Sequence, residues 1–213
     1  LVLETKAQGY GIDAVSLEEV LYALKLGFGA EDILYTGNNI TDEEMRRAHQ
    51  LGVMLNVGAL SRLEKFGKEF PGSRVCVRIN PKVVAETHEH WITGGPLAKF
   101  GINYDETSEA LAIAGKYDLK IVGVHEHVGT SVMKAEQLLA AMEMLLAVAG
   151  DFPDLEFINF GGGIGLAYKP EEQEIDIEAF GREASEKFAK FCTDYGRELT
   201  LMMEPGRYIV GHA

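Results

Sequence analysis

Short apolar, β-branched runs alternate along the whole chain with amphipathic stretches of helical period, and no other feature narrows the possible folds so far. Seven such runs stand at 12–15, 33–35, 54–57, 75–79, 121–127, 156–160 and 199–203. Several are apolar almost without interruption, as expected of strands covered on both faces. Strand then helix, repeated, points to a parallel sheet with right-handed crossovers, either doubly wound or closed as a barrel. Residues 1–11 read as the tail of a helix running into a glycine turn, with no strand before it.

Helix boundaries carry their own signals. Ser16 stands three residues before Glu19 and Thr41 three before Glu44, the spacing of a capping box. Gly27, Gly52 and Gly115 each follow a helical pattern where a left-handed stop residue is expected. Longer helical patterns cover 134–150 and 175–196, whereas 81–100 is irregular and contains Thr93-Gly94-Gly95-Pro96. A loop of that length points to function or disorder. The formal charge of −13 argues against nucleic acid as a partner, since phosphate backbones call for clustered Lys and Arg. It leaves anionic small molecules open. Cys76 and Cys192 lie far apart without CxxC spacing, which favours two thiols in a reducing, cytoplasmic setting over a disulfide or a zinc site. No apolar run approaches the ~20 residues of a membrane span, and no signal peptide is visible.

Three of the strand-like runs end in reactive or glycine-rich sequence, and a parallel barrel gathers such ends on one rim. The first leads to His125-Glu126-His127-Val-Gly129-Thr130, the second to Gly161-Gly162-Gly163-Ile-Gly165, the third to Glu204-Pro205-Gly206-Arg207. The glycine run suits an anion cradle, where backbone N–H groups approach without a Cβ in the way, and suits a tight structural turn equally. His125 and His127, two apart on a strand, point to one face, with Glu126 on the other. A metal reading lacks clear further ligands, and hydrogen-bonded core histidines explain the spacing as well as a functional pair does. His88 and His90 belong to the irregular stretch. In Glu204-Pro205-Gly206-Arg207 proline breaks the strand and displays a carboxylate beside a guanidinium, the latter suited to bidentate phosphate or carboxylate recognition. A surface ion pair at a strand end is the plainer reading.

Together these segments resemble the alanine-racemase-like, fold-type III group of pyridoxal-phosphate enzymes, and within it the diaminopimelate decarboxylase branch. The likeness spans the chain through Gly11-Ile-Asp13-Ala-Val-Ser16, Tyr35-Thr-Gly37-Asn38-Asn39, Val77-Arg78-Ile-Asn80-Pro81, His88 followed by Thr93-Gly94, and Lys99-Phe100-Gly101-Ile102. It continues through Gly123-Val-His125-Glu-His127-Val-Gly129-Thr130, Asn159-Phe-Gly161-Gly162-Gly163 and Glu204-Pro205-Gly206-Arg207. The resemblance implies an α/β fold, a TIM-type (β/α)8 barrel with seven strands present, residues 1–213 forming one incomplete pyridoxal-phosphate-binding barrel domain. It implies that His127 stacks on the cofactor ring and that Glu204 pairs with the pyridine nitrogen, the two catalytic positions. Gly129, Thr130, Gly162, Gly163, Pro205, Gly206 and Arg207 would surround the cofactor, chiefly its phosphate, and Arg207 would also touch substrate. Asp13 and Arg78 would be supporting charges near the ring. Thr130 stands where the family more often has serine, and keeps the hydroxyl.

The family's Schiff-base lysine, expected a few tens of residues before Asp13, and its C-terminal β-domain have no counterpart between Leu1 and Ala213. Lys6 and Lys99 sit in the wrong contexts to replace that lysine. The expectation is the central segment of a homodimeric, cytoplasmic lyase that releases carbon dioxide from meso-diaminopimelate to give L-lysine, the segment alone being inactive. Rival readings are a decarboxylase of ornithine, arginine or carboxynorspermidine, an amino-acid racemase, a non-catalytic pyridoxal-phosphate-binding barrel, and a phosphosugar barrel using the glycine run.

Overall fold

The computed structural model describes residues 1–80 and 99–211. The irregular stretch expected at 81–100, with His88, His90 and the Thr93-Gly94 pair, lies outside the described residues except for its last two.

The strands are β1 (Ile12–Ala14), β2 (Ile33–Tyr35), β3 (Met54–Val57), β4 (Arg74–Asn80), β5 (Ile102–Asn103), β6 (Lys120–His125), β7 (Phe157–Asn159) and β8 (Thr200–Met202). The helices are α1 (Val2–Ala7), α2 (Leu17–Lys25), α3 (Asp42–Gln50), α4 (Leu60–Glu69), α5 (Thr107–Tyr117), α6 (Ala135–Ala149), α7 (Ile177–Tyr195) and α8 (Gly206–Val210). Among the described residues every strand pairing is parallel, and the main path runs β1-β2-β3-β4-β6-β7-β8. The seven expected strands are this path. The two-residue β5 is an addition: among the described residues it pairs with the end of β4, while the earlier part of β4 pairs with β6.

The path is curled. Six strand spacings of about 4.8 Å would hold β1 and β8 roughly 29 Å apart in a flat sheet. Instead Ile12 and Asp13 of β1 and Met202 of β8 line one cavity of about 1210 Å³. The result is a partial TIM-type barrel with its helices outside. Strands and helices share an apolar core in which Val75, Val77, Ile121 and Val124 meet Leu63, Phe66, Met142 and Leu145. Each such fully buried side chain contributes about 1.5–3 kcal/mol of burial free energy.

The capping signals are realised with one difference. At Thr41 the box is reciprocal: its Oγ1 accepts from the Glu44 N–H at 3.1 Å, and Glu44 Oε2 accepts from the Thr41 N–H at 2.6 Å. At Ser16 only half forms, since Glu19 Oε2 takes the N–H of Val15 at 2.8 Å. Gly27 and Gly52 adopt φ of +86° and +78° as expected, but Gly115 does not. It stays inside α5, and Asp118, at φ +54°, takes the left-handed position. Asp is among the few residues besides glycine that reach this region at modest cost.

Candidate active site

Register decides which polar side chains meet. Arg78 of β4 pairs with His125 of β6, and His125 pairs with Asn159 of β7. In-register neighbours on parallel strands share a face, so these three form a row on the barrel interior. The expected strand 121–127 ends two residues early, at His125, yet the alternation continues. Glu126 turns away from the interior, and the half-buried His127 returns to it.

Glu204, just past β8, completes the row. Its Oε1 accepts from Asn159 Nδ2 at 2.7 Å and lies 3.3 Å from His125 Nε2. Burial drives this carboxyl upward, but His125, His127 and the Asn159 hydrogen bond outweigh it and hold Glu204 below the usual carboxylate range. His125 is 1% exposed, and burial pushes its imidazole down against the opposing pull of Glu204. His127 is pushed down to about 4, first by burial and then by the Arg78 charge. Its Nδ1 accepts the Gly162 N–H at 3.2 Å, which leaves the proton of the neutral ring on Nε2.

On the other side of the cavity stands Asp13. Thr36 Oγ1 donates to Asp13 Oδ1 at 2.5 Å, and Asn56 Nδ2 donates to Thr36 Oγ1 at 3.2 Å. Burial and the nearby Glu204 charge raise Asp13 to about 7, against the opposing pull of Thr36 and Arg78. Arg78 is 5% exposed; its guanidinium lies 5.4 Å from the Phe100 ring centroid, with Asn38 Oδ1 at 3.4 Å.

The glycines at the rim dock three strand ends against one another. A Cβ on Gly161 would lie 2.1 Å from the Glu126 carbonyl oxygen, on Gly162 2.1 Å from that of Glu204, and on Gly163 2.3 Å from that of Gly129. Glu204 N–H donates to Gly161 O, and Val132 N–H to Gly163 O, each at 2.8 Å. The tight-turn reading of the run is therefore realised, with the glycines on the rim where an anion cradle was the alternative. Gly206 differs: a Cβ there would meet nothing, so packing does not require it. Pro205 caps α8, and both residues line the cavity. Arg207 Nη1 donates to Ser131 Oγ at 3.2 Å, and Ser131 holds φ at +60°.

Asp13, His127, Glu204, Pro205 and Gly206 thus line one cavity, and register sets Arg78 in the same interior row, while Gly129, Thr130, Gly163 and Arg207 are not among the residues lining it and Gly162 lines a separate small cavity. Sequence reasoning missed four partners. Asn159 carries a hydrogen bond to Glu204, Thr36 and Asn56 support Asp13, and Ser131, rather than Thr130, meets Arg207. The strand-end position of Asn159 and the place of Thr36 within Tyr35-Thr-Gly37-Asn38-Asn39 were usable signals; Asn56 and Ser131 lie in no distinctive pattern.

Comparison with known proteins agrees with this geometry. Residues 2–211 match the family model described as pyridoxal-dependent decarboxylase, pyridoxal binding domain. The chain is 41% identical over 213 residues to diaminopimelate decarboxylase of Methanothermobacter thermautotrophicus, covering 97% of this chain and 50% of that protein. It is 32% identical over 217 residues to the Escherichia coli K12 protein of the same name, covering 98% and 50%. A crystal structure of diaminopimelate decarboxylase superposes with a TM-score of 0.87 at 29% identity, covering 96% of this chain and 49% of that one. The Helicobacter pylori enzyme complexed with L-lysine superposes at 0.84 and 30% identity, covering 98% and 54%. The chain spans about half the length of the curated relatives it matches. With a model matched over nearly all its residues and a curled parallel sheet carrying the polar row inside, the chain belongs to the pyridoxal-dependent decarboxylase family, in its pyridoxal-binding domain.

Proposed function

We propose that this chain is the cofactor-binding half of a lyase that decarboxylates meso-diaminopimelate to L-lysine. The observation that carries the reading is Glu204, a half-buried carboxylate held below the usual carboxylate range beside Asn159 and His125 and facing a cavity wide enough for an aromatic cofactor. The donor set fits pyridoxal phosphate. It offers a carboxylate for a ring nitrogen, an imidazole face, and a rim of guanidinium, hydroxyl and glycine backbone for a phosphate. When bound, that cofactor supplies an electron sink for the carbon that loses carbon dioxide.

The chain's own residues then have separate tasks. Glu204 would hold a proton at the pyridine nitrogen, and the hydrogen bond from Asn159 would keep its Oε1 aimed there. His127, neutral and fixed through Nδ1 by the Gly162 N–H, presents a flat face to the ring. Arg207, with Thr130, Ser131 and the backbone of Gly129, Gly162, Gly163 and Gly206, binds the phosphate, and Pro205 sets the turn that delivers Arg207. Arg207 also reaches toward the substrate. Asp13 and Arg78 balance charge beside the ring, Asp13 being able to gain or lose a proton near neutral pH. We place the whole protein in the cytoplasm as a homodimer. The free thiols Cys76 and Cys192 suit a reducing compartment, and the exposed Val15, Leu21 and Tyr22 offer apolar surface for a partner copy.

The test is carbon dioxide release by the complete protein with added pyridoxal phosphate, measured side by side on meso-diaminopimelate, ornithine, arginine and carboxynorspermidine. Turnover of the first at a kcat/KM at least about tenfold above the others is expected. Preference for another substrate would reassign the reaction, and no pyridoxal-phosphate binding would remove the reading.

A further inference from the structure

On the outer face of the sheet, behind His125 and His127, a carboxyl is shifted by no charged group among the described residues. Glu126 is 1% exposed, and its Oε2 has no hydrogen-bond partner. It projects into a small internal cavity walled by Leu138 and Met142 of α6, Phe180 of α7, Leu201 of β8, and Val128 and Phe160 beyond the ends of β6 and β7. All six are apolar. Among the described residues no other titratable side chain lines this cavity, and the neighbours of Glu126 on its own segment, His125 and His127, face the barrel interior. Burial alone therefore governs this carboxyl and pushes it well above the usual range. The cavity holds about 10 Å³, room for at most one water, whereas an ionised carboxylate needs several.

The backbone at this residue is tied to the rim. The Glu126 N–H donates to Asn159 O at 3.0 Å, and its carbonyl is packed against Gly161. Residue 126 cannot shift without moving the segment that carries both histidines. We propose that Glu126 is a pH-sensitive latch: as a neutral acid it lets α6 and α7 close over the end of β6, and on ionisation it draws water into that layer and displaces His125 and His127. The inference does not depend on the cofactor assignment.

The sign of the linkage is definite. The unfolded chain releases this proton near the ordinary glutamate value of about 4.3, while the folded protein keeps it to higher pH. Folded stability contributed by the neutral acid is thus full below the unfolded value and is lost as pH rises toward the raised folded one. The test uses the complete protein and its Glu126→Gln variant, which keeps shape without the charge. Infrared spectra at pH 7 should show a protonated-carboxyl C=O band that the variant lacks. The Tm of the variant minus that of the wild type should widen by about 2 °C per pH unit above pH 5. Hydrogen exchange in 120–127 and α6 should rise at least tenfold at alkaline pH in the wild type only. Absence of the protonated band, parallel Tm profiles, or equal alkaline exchange in both proteins would overturn the proposal. Should Glu126→Gln not fold, Glu126→Met replaces it and the same outcomes decide.

Discussion

Asp13 and His127 titrate in opposite senses within one cavity, which makes the pH response of this protein a sum of opposed slopes. Asp13, raised to about 7, is protonated in the folded state where the unfolded chain has already lost its proton. Its contribution to stability therefore falls as pH rises from about 4 to 7. His127, pushed to about 4, is neutral when folded and protonated when unfolded below about 6.5, so its contribution falls as pH drops through that window. The two partly cancel in the wild type. Urea midpoints across pH 4–7 should separate them: Asp13→Asn removes the falling slope, and a neutral replacement of His127 removes the rising one. At Glu204 the expectation concerns rate. Glu204→Gln keeps the shape but removes the charge proposed to face the cofactor, and kcat of the complete protein should fall on the order of 10²-fold. An unchanged kcat would leave that carboxylate without its assigned task.

Among the elements, α3 and the glycine rim make the sharpest predictions. Thr41→Ala deletes one side of a reciprocal cap and should cost about 0.5–2 kcal/mol in equilibrium unfolding, with activity untouched. Gly161→Ala places a methyl 2.1 Å from the Glu126 carbonyl at a φ of +63°, so overpacking and backbone strain combine. A loss of about 2 kcal/mol or more, together with weakened cofactor binding, is expected. The long elements were legible from periodicity. Patterns at 134–150 and 175–196 stand within two residues of the observed α6 and α7, because an apolar stripe and a stop residue are both local. The αL role of Asp118 was hidden because glycine is only the commonest residue there, not a required one. Glu126 was read correctly as facing away from the histidines, but alternation tells direction and not what lies behind. The partnership of Arg207 with Ser131 spans 76 positions and forms only once separate strand ends have docked.

At the scale of the molecule, the order β1-β2-β3-β4-β6-β7-β8 builds the sheet almost entirely between successive units, so neighbours in sequence are neighbours in space. Curling then overrides that rule for the interior alone, bringing residue 13 and residue 204 to opposite sides of one cavity. The barrel was legible because its repeating unit is local; the charge balance inside it was not, because it depends on closure. The Glu204 charge, just past β8, raises Asp13 of β1 across the cavity, an electrostatic link between the two ends of the strand order. Such coupling is reciprocal: whatever free energy Glu204 imposes on the proton of Asp13, Asp13 must impose on that of Glu204. A double-mutant cycle with Asp13→Asn and Glu204→Gln at a pH where both are ionised should therefore be non-additive, with the pair more costly than the sum of its members because either single change already relieves their one repulsion, although nearly the whole chain separates them.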